Sequence, residues 1–501
     1  MKKPYQISFL LASAFLLASA FLLSGCVNGG SSSAGAGSVF SLSSSSFSSS
    51  APLYNAFDSL INVHDLGLSS NTHYLPSKGE DKILVIPIVI QGYESQATSA
   101  LHDSITKAFF GASGDTGWES LTSYYQKSSF GQLSFSGTIT DFYECGLTAK
   151  EIQGSASGIN GTNVNNLVNN AVNWYRKTSG SSLSEFDTDA DGYLDGVWFL
   201  YTCPNYQEDS SLGASFWAFT SWAGDASSLN EPGIDTYGWA STDFLFEGYG
   251  EKADAHTLIH ETGHMLGLED YYDYDNQACP MGRIDMMDYN IIDHNAWSKF
   301  AFGWVSPYVA DKVGTITLRP SATSGDCLLL PTGDGWNGSV FDEYLLLEFY
   351  TPENLNYQDA IIGYSARKEL RGFSDSGVRI YHVDARLATA SAGTKAYSDK
   401  IVTNRTTTTS LAHSNTASMN LLDSSYRLIQ ELDCSKKRNF AKGLYTADNS
   451  SLFETGNTFV PADYAASFPN RTLANDGSVF PYALSIGSID KEGIRITVTG
   501  A

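Results

Sequence analysis

Residues 81–91 read DKILVIPIVIQ, a continuous apolar and β-branched run. Such a run predicts a strand buried on both faces. Pro87 within it points to an edge or a bulge, because proline has no donor for a ladder. Helical periods follow over 97–110 and 116–128. In the second, Leu121, Tyr124, Tyr125 and Ser128 share one face, and Gly131 stands beyond as a stop. Val164, Leu167, Val168, Ala171, Val172 and Tyr175 recur at i, i+3, i+4, i+7, i+8 and i+11, which predicts a helix over 163–175. Residues 194–201 read as another buried strand. Residues 205–250 mix Gly, Ser, Asp and aromatics and suit the edge strand and loops of a cleft, with Trp217, Trp222 and Trp239 as candidate pocket walls for which buried packing is the favoured role. Asp293 then reads as an N-cap to a helix with Ala296, Trp297, Phe300 and Ala301 on its apolar face and Gly303 at its end.

From about residue 305 the pattern changes to short β-rich runs at 315–318, 327–330, 344–349, 378–383 and 493–499, separated by Gly and Asp turns. The predicted fold class is therefore α+β. A mixed twisted sheet with helices spans 81–305, and a β-rich, sandwich-like region spans 306–501. His382 and Asp384 fall on one face of the same strand and read as a structural pair, since no third ligand is evident nearby. Residues 386–420 are rich in Ser, Thr and Ala.

The first 80 residues differ in character. Lys2 and Lys3 precede an apolar stretch over 7–23, which ends in Leu23-Ser24-Gly25-Cys26. This resembles a bacterial lipoprotein signal: residues 1–25 would be removed and Cys26 lipidated. Residues 26–51 are mostly Ser, Gly and Ala and read as a flexible tether. Residues 52–80 form a lead-in or short pro-segment, in which His64 and His73 stand alone. These expectations place the chain outside the cytoplasm, tethered to a membrane through its N-terminal lipid. The net charge of -24 argues against nucleic acid as a partner. Of six cysteines, five remain once Cys26 is lipidated, so at most two disulfides can form and free thiols are expected. The sequence sets no oligomeric state.

The chemistry concentrates in residues 255–270. His260-Glu261-Thr262-Gly263-His264 is an H-E-x-x-H motif, which on a helix aims two imidazoles at one point with a carboxylate beside them. Two neutral imidazoles suit Zn²⁺, and Glu261 is placed to take a proton from a zinc-activated water. Gly267 lets the helix stop and turn, and Asp270 comes three residues later as a third ligand. Glu269 and Asp273 are alternatives that fit the spacing less well, and His256 reads as a neighbour on the same helix face. Asp187-Thr188-Asp189-Ala190-Asp191-Gly192-Tyr193-Leu194-Asp195 matches the first nine positions of a calcium loop. Asp187, Asp189, Asp191, Tyr193 and Asp195 are its candidate Ca²⁺ ligands. Trp198 stands where an EF-hand would place its glutamate, so carboxylates from elsewhere would complete the shell.

Asp285-Met286-Met287-Asp288-Tyr289 resembles the methionine turn of metzincin peptidases. By that resemblance Met287 supports the metal site and Tyr289 reaches the oxyanion. More broadly, the chain resembles the immune inhibitor A family of bacterial metallopeptidases over roughly residues 80–390. The resemblance rests on 82–91, Tyr124-Tyr125, 129–133, the acidic loop 187–195, the H-E-x-x-H helix through Asp270, Met286 to Tyr289, Trp297 to Lys299 with Gly303-Trp304, and the runs 343–348 and 377–384. It implies a metzincin-like, zinc-dependent endopeptidase that acts on extracellular protein or peptide substrates and is stabilised by calcium. The contrasting expectation is a non-catalytic surface lipoprotein for adhesion or metal binding on a peptidase-like fold. Glu261 argues against it, because a pure binder needs no general base.

Overall fold

The computed structural model describes residues 73–501, except 181, 223–231, 251, 290, 311, 365–370, 387, 391–408, 412, 419–424 and 469–472. The signal segment, Cys26, the tether and residues 52–72 lie outside the described residues. The architecture is α+β, with several sheets and few helices. Among the described residues no helix is long and apolar enough to cross a membrane.

The first sheet is built around β1 (Gly79–Val89). On one side β2 (Leu133–Ile139) and β3 (Tyr143–Glu144) pair with it, and on the other β4 (Gly196–Tyr201), all parallel. β5 (Phe219–Trp222) forms the far edge, antiparallel to β6 (Thr236–Ser241), which runs parallel to β4. Pro87 thus sits in a central strand, not an edge strand. Its missing donor falls in a local gap, since β2 pairs only as far as Val85 and β3 begins at Ile88. Alternate residues of β1 point to opposite faces, and each face carries a core. Ile83 and Val85 pack with α1 (Ser99–Phe110) and α2 (Leu121–Ser128), while Leu84, Ile86 and Ile88 pack under α3 (Ala149–Gln153) and α4 (Gly161–Ser179). α5 (His256–Met265) and α6 (Ala296–Ala301) lie on the α1 side.

Local chemistry sets the helix ends. α2 starts later than its apolar pattern, because Ser120 and Ser123 form a reciprocal capping box. α4 runs from the Asn160 cap to Gly180, which is left-handed at φ 64°. α6 is capped by Asn295, whose side chain accepts from the amides of Trp297 and Ser298. The expected cap, Asp293, instead pairs with Lys299 at 2.6 Å and accepts from Ser128 at 2.5 Å, all three side chains buried.

Beyond α6 the order is β7 (Tyr308–Val309), β8 (Gly314–Leu318), α7 (Ser321–Ser324), β9 (Cys327–Pro331), β10 (Glu343–Tyr350), β11 (Gly377–Asp384), β12 (Ala388–Ala390), β13 (Thr409–Leu411), β14 (Ile429–Glu431), β15 (Thr458–Phe459), β16 (Tyr482–Asp490) and β17 (Gly493–Gly500). One sheet runs β14-β11-β10-β9-β7 and another β15-β16-β17-β8, while β12 and β13 pair with each other. β10 is buried along its whole length. Leu345, Leu347 and Phe349 share a core with Ile486, Ile494 and Ile496 of the second sheet. Tyr344 and Leu346 face the other way, into the core that holds Met287 and Trp297. β10 thus packs against α6 and α7 and shares this core with the H-E-x-x-H helix. His382 and Asp384 are tied into the interior: His382 contacts Glu343 at 2.8 Å and Gln430 at 3.0 Å, and Asp384 is gripped by both ends of the Arg386 guanidinium at 2.8 Å.

Candidate metal centre

α5 carries His260, Glu261 and His264 along one side. His260 Nδ1 lies 2.9 Å from the Met286 carbonyl, and His264 Nδ1 lies 2.8 Å from the Leu268 carbonyl. A carbonyl can only accept, so each ring carries hydrogen on Nδ1 and turns Nε2 inward. The helix then ends in a Schellman motif. Leu268 N–H donates to Gly263 O at 3.0 Å, Gly267 N–H donates to His264 O at 2.9 Å, and Gly267 takes φ 115°. That left-handed step carries the chain back over the histidines. Asp270 Oδ1 arrives 2.9 Å from His260 Nε2 and 3.4 Å from His264 Nε2.

The Asp270 carboxylate is divided in its use. Oδ2 accepts from the Tyr274 hydroxyl. Oδ1 is buried and faces the two Nε2 atoms. One ligand atom from each of His260, His264 and Asp270 lies within 4.8 Å of the others. Two imidazole nitrogens and one carboxylate oxygen form a donor set suited to Zn²⁺. Within this cluster the mutual charges outweigh burial. Burial alone would lower His264 and raise Asp270, yet their mutual charges reverse both effects. His264 is pushed up to about 9, and Asp270 is held well below the usual carboxylate range. Protons on the rings do the work that a bound cation would do.

Glu261 is buried beside these groups, and burial raises its pKa. Thr220, on the edge strand β5, donates its hydroxyl to the Glu261 carbonyl at 2.7 Å and lies 3.3 Å from Oε2. Met287 is fully buried under α5, in a turn closed by Asp288 N–H to Asp285 O at 3.0 Å. Asp285 Oδ1 accepts from the Met287 amide at 2.9 Å and Oδ2 from Asn295 at 2.6 Å. The Met287 carbonyl accepts from Tyr271 N–H at 2.9 Å, which joins this turn to the Asp270 loop. Tyr289 takes φ 107°, is 46% exposed, and packs its ring 4.9 Å from Tyr272. Burial of its hydroxyl and the charges of Asp288 and Asp270 push it up to about 12.

The alternatives for the third ligand are used elsewhere. Glu269 accepts from the Asn415 amide at 3.3 Å, and Asp273 lies 3.4 Å from the Arg427 guanidinium. The His256 ring faces Tyr364 at 5.6 Å. Trp239 is buried and donates to Ser215 O at 2.8 Å, Trp217 packs on Phe244, and the Trp222 side chain lies outside the described residues. The five described cysteines, Cys145, Cys203, Cys279, Cys327 and Cys434, are free.

The acidic loop forms a second cluster. Asp187, Asp189 and Asp195 converge within the same 4.8 Å limit. Asp191 is drawn away: its carboxylate holds the His73 imidazole and accepts from Tyr193 N–H at 2.8 Å, while the Tyr193 ring stacks on His73 at 3.8 Å. Asp81, at the start of β1, borders the cluster through Thr188, whose hydroxyl also contacts Asp195. Asp81 is 2% exposed, Oδ1 accepts from Thr188 at 3.2 Å, and Oδ2 has no partner. Burial and the charge of Asp195 push Asp81 up to about 8, and burial pushes Asp195 up to about 7. Buried like charges with an orphaned oxygen suit a hard cation such as Ca²⁺.

The sequence pattern did not pick out Asp81, Thr220 or Tyr274. Asp81 had a signal, as a charge opening a buried strand, and Tyr274 stands four residues after Asp270. Thr220 had none. Compared with known proteins, the chain matches no family model and no curated protein sequence.

Proposed function

We propose that this chain is a zinc-dependent endopeptidase of metzincin-like fold, held outside the cytoplasm by a lipid on Cys26, that hydrolyses peptide bonds of extracellular proteins. One observation carries the reading: Asp270 returns over the helix with a buried Oδ1 facing two inward Nε2 atoms, and Glu261 lies beside them. The resemblance to the immune inhibitor A family supports it from the sequence side.

His260, His264 and Asp270 would hold zinc, which when bound acidifies water and polarises a carbonyl. Glu261 accepts the water proton and returns it to the leaving amine. Thr220 fixes the Glu261 backbone and carboxylate. Tyr289, on the rim, donates its hydroxyl hydrogen to the developing oxyanion. The edge of β5 that no strand pairs among the described residues offers ladder groups to an extended peptide, as edge strands commonly do. Asp81, Asp187, Asp189 and Asp195 would hold a calcium ion that fastens the acidic loop to β1. The two sheets beyond residue 305 would form a sandwich that docks substrate and backs the methionine turn.

The test compares the full chain, purified in detergent, with Glu261→Ala on unfolded casein, with zinc content measured in parallel. The reading requires a wild type that cuts and a variant that keeps zinc without cutting. A wild type that binds zinc and cuts nothing across a broad substrate set favours the adhesion or metal-binding alternative. A wild type that binds no zinc rejects the site.

A further inference from the structure

The loop that carries Asp270 is covered by a segment almost 150 residues further along the chain. Asn415 is fully buried and uses each of its polar groups. Its amide donates to the Glu269 carboxylate at 3.3 Å, and its side-chain Nδ2 donates to Tyr271 O at 2.9 Å. These two contacts bracket Asp270 on either side. Its Oδ1 accepts from Ile429 N–H at 3.1 Å, and its carbonyl accepts from Arg427. Ile429 opens β14, the outer strand of the sheet that continues through β11 and β10.

The neighbours extend the same seam. Thr416 Oγ1 accepts from Tyr274 N–H at 3.0 Å and lies 3.4 Å from Tyr272 O. Ser418 donates both its amide and its hydroxyl to Asp275, at 2.8 and 2.6 Å. Tyr274 is the residue whose hydroxyl holds Asp270 Oδ2. A continuous line of hydrogen bonds therefore runs from a β-sheet of the C-terminal region, through Asn415 and Thr416, to both ends of the ligand loop.

From this geometry we infer that Asn415 is a positioning residue for Asp270, so the C-terminal region completes the metal centre as well as sharing its core. The inference rests on the zinc reading for its consequence, but its mechanical part stands apart. A loop of irregular backbone has no ladder of its own to hold a ligand in place. Loss of Asn415 leaves the Tyr271 carbonyl without its donor and frees the loop. Groups that orient a metal ligand typically change metal affinity about 10–100-fold when removed.

The experiment uses the full chain, Asn415→Ala, Asn415→Asp and a control, Arg438→Ala. Arg438 pairs with Asp433 and Asp448, neither of which contacts the ligand loop. Amide exchange is read first on metal-stripped protein, then zinc affinity by chelator competition, then kcat and KM at saturating zinc. Expected for Asn415→Ala is exchange over 269–276 faster by about tenfold, with β10 and β11 unchanged. Zinc binding weakens by about tenfold or more, and the activity loss falls on kcat. Asn415→Asp keeps the volume but loses the Nδ2 donor, and moves the same way. The control shows none of these changes. Thr416→Val, which deletes the acceptor for Tyr274, carries the test if both Asn415 variants fail to fold. A folded variant with unchanged exchange over 269–276 and unchanged zinc affinity overturns the inference. A wild type that takes up no zinc rejects the metal reading instead, and the exchange comparison still decides whether Asn415 holds this loop.

Discussion

Gly263 and Met287 touch so closely that no side chain fits between them: a Cβ placed on Gly263 would stand 2.6 Å from Met287 Sδ. This position lies inside α5, between the two histidines. In an open helix, Gly→Ala stabilises by about 1 kcal/mol. Here the added methyl meets a fully buried sulfur, and overpacking of that kind costs about 1–3 kcal/mol. Gly263→Ala should therefore destabilise the fold. Met287→Ala should cost about 2–5 kcal/mol through the cavity it leaves. In the Met287→Ala background the sign should reverse, with Gly263→Ala now stabilising, because the helix gain remains and the clash is gone. Urea melts of the four proteins in the cycle check this. Additive single effects would mean that Gly263 is glycine for another reason.

Tyr274→Phe removes the hydroxyl that holds Asp270 Oδ2 and leaves the ring in place. The carboxylate then loses its Oδ2 donor and gains freedom to rotate. Zinc affinity should fall about tenfold by chelator competition, with little change in thermal stability of the metal-free chain. Unchanged zinc affinity would show that the loop backbone alone sets the Asp270 geometry.

Thr220→Val keeps shape and removes the hydroxyl shared by the Glu261 carbonyl and carboxylate. If Glu261 is the general base, its aim should degrade while the three ligands are untouched. The expected result is a kcat about tenfold lower with zinc content and KM nearly constant, a small part of what a general base contributes. A rise in KM alone would assign Thr220 to substrate binding at the edge strand instead.

What could be read from the sequence was what is local. The i, i+4 histidines, the Gly267 stop and Asp270 lie within eleven residues, and helical period and turn chemistry together brought them to one point. The same holds for α4, whose apolar face repeats cleanly. Residues delivered by tertiary pairing were not legible. Thr220 reaches Glu261 only because β5 pairs with β6, and Asn415 reaches the ligand loop only through β14. Pro87 read as an edge signal because the sequence cannot show that one neighbouring strand stops and another begins beside it. Within the acidic loop, spacing suggested Asp191, but His73 takes its carboxylate, and Asp81 enters from more than a hundred residues away.

Asp81 and Asp195 give the second cluster a pH signature. In the cation-free chain their carboxyls are pushed up to about 8 and about 7 by burial and, for Asp81, by the charge of Asp195. An unfolded chain ionises them near the ordinary value of about 4. Between those values the folded state binds more protons than the unfolded one, so stability falls as pH rises through the window and levels off above about 8. Calcium would replace those protons and offset the repulsion. The rise in Tm on adding calcium, with zinc kept saturating, should therefore be small near about pH 5.5 and larger near about pH 8. Asp81→Asn removes one buried charge beside the cluster. It should stabilise the calcium-free chain at about pH 8 and shrink the calcium-induced rise there. A calcium effect equal at both pH values, or one untouched by Asp81→Asn, would place the cation away from Asp81.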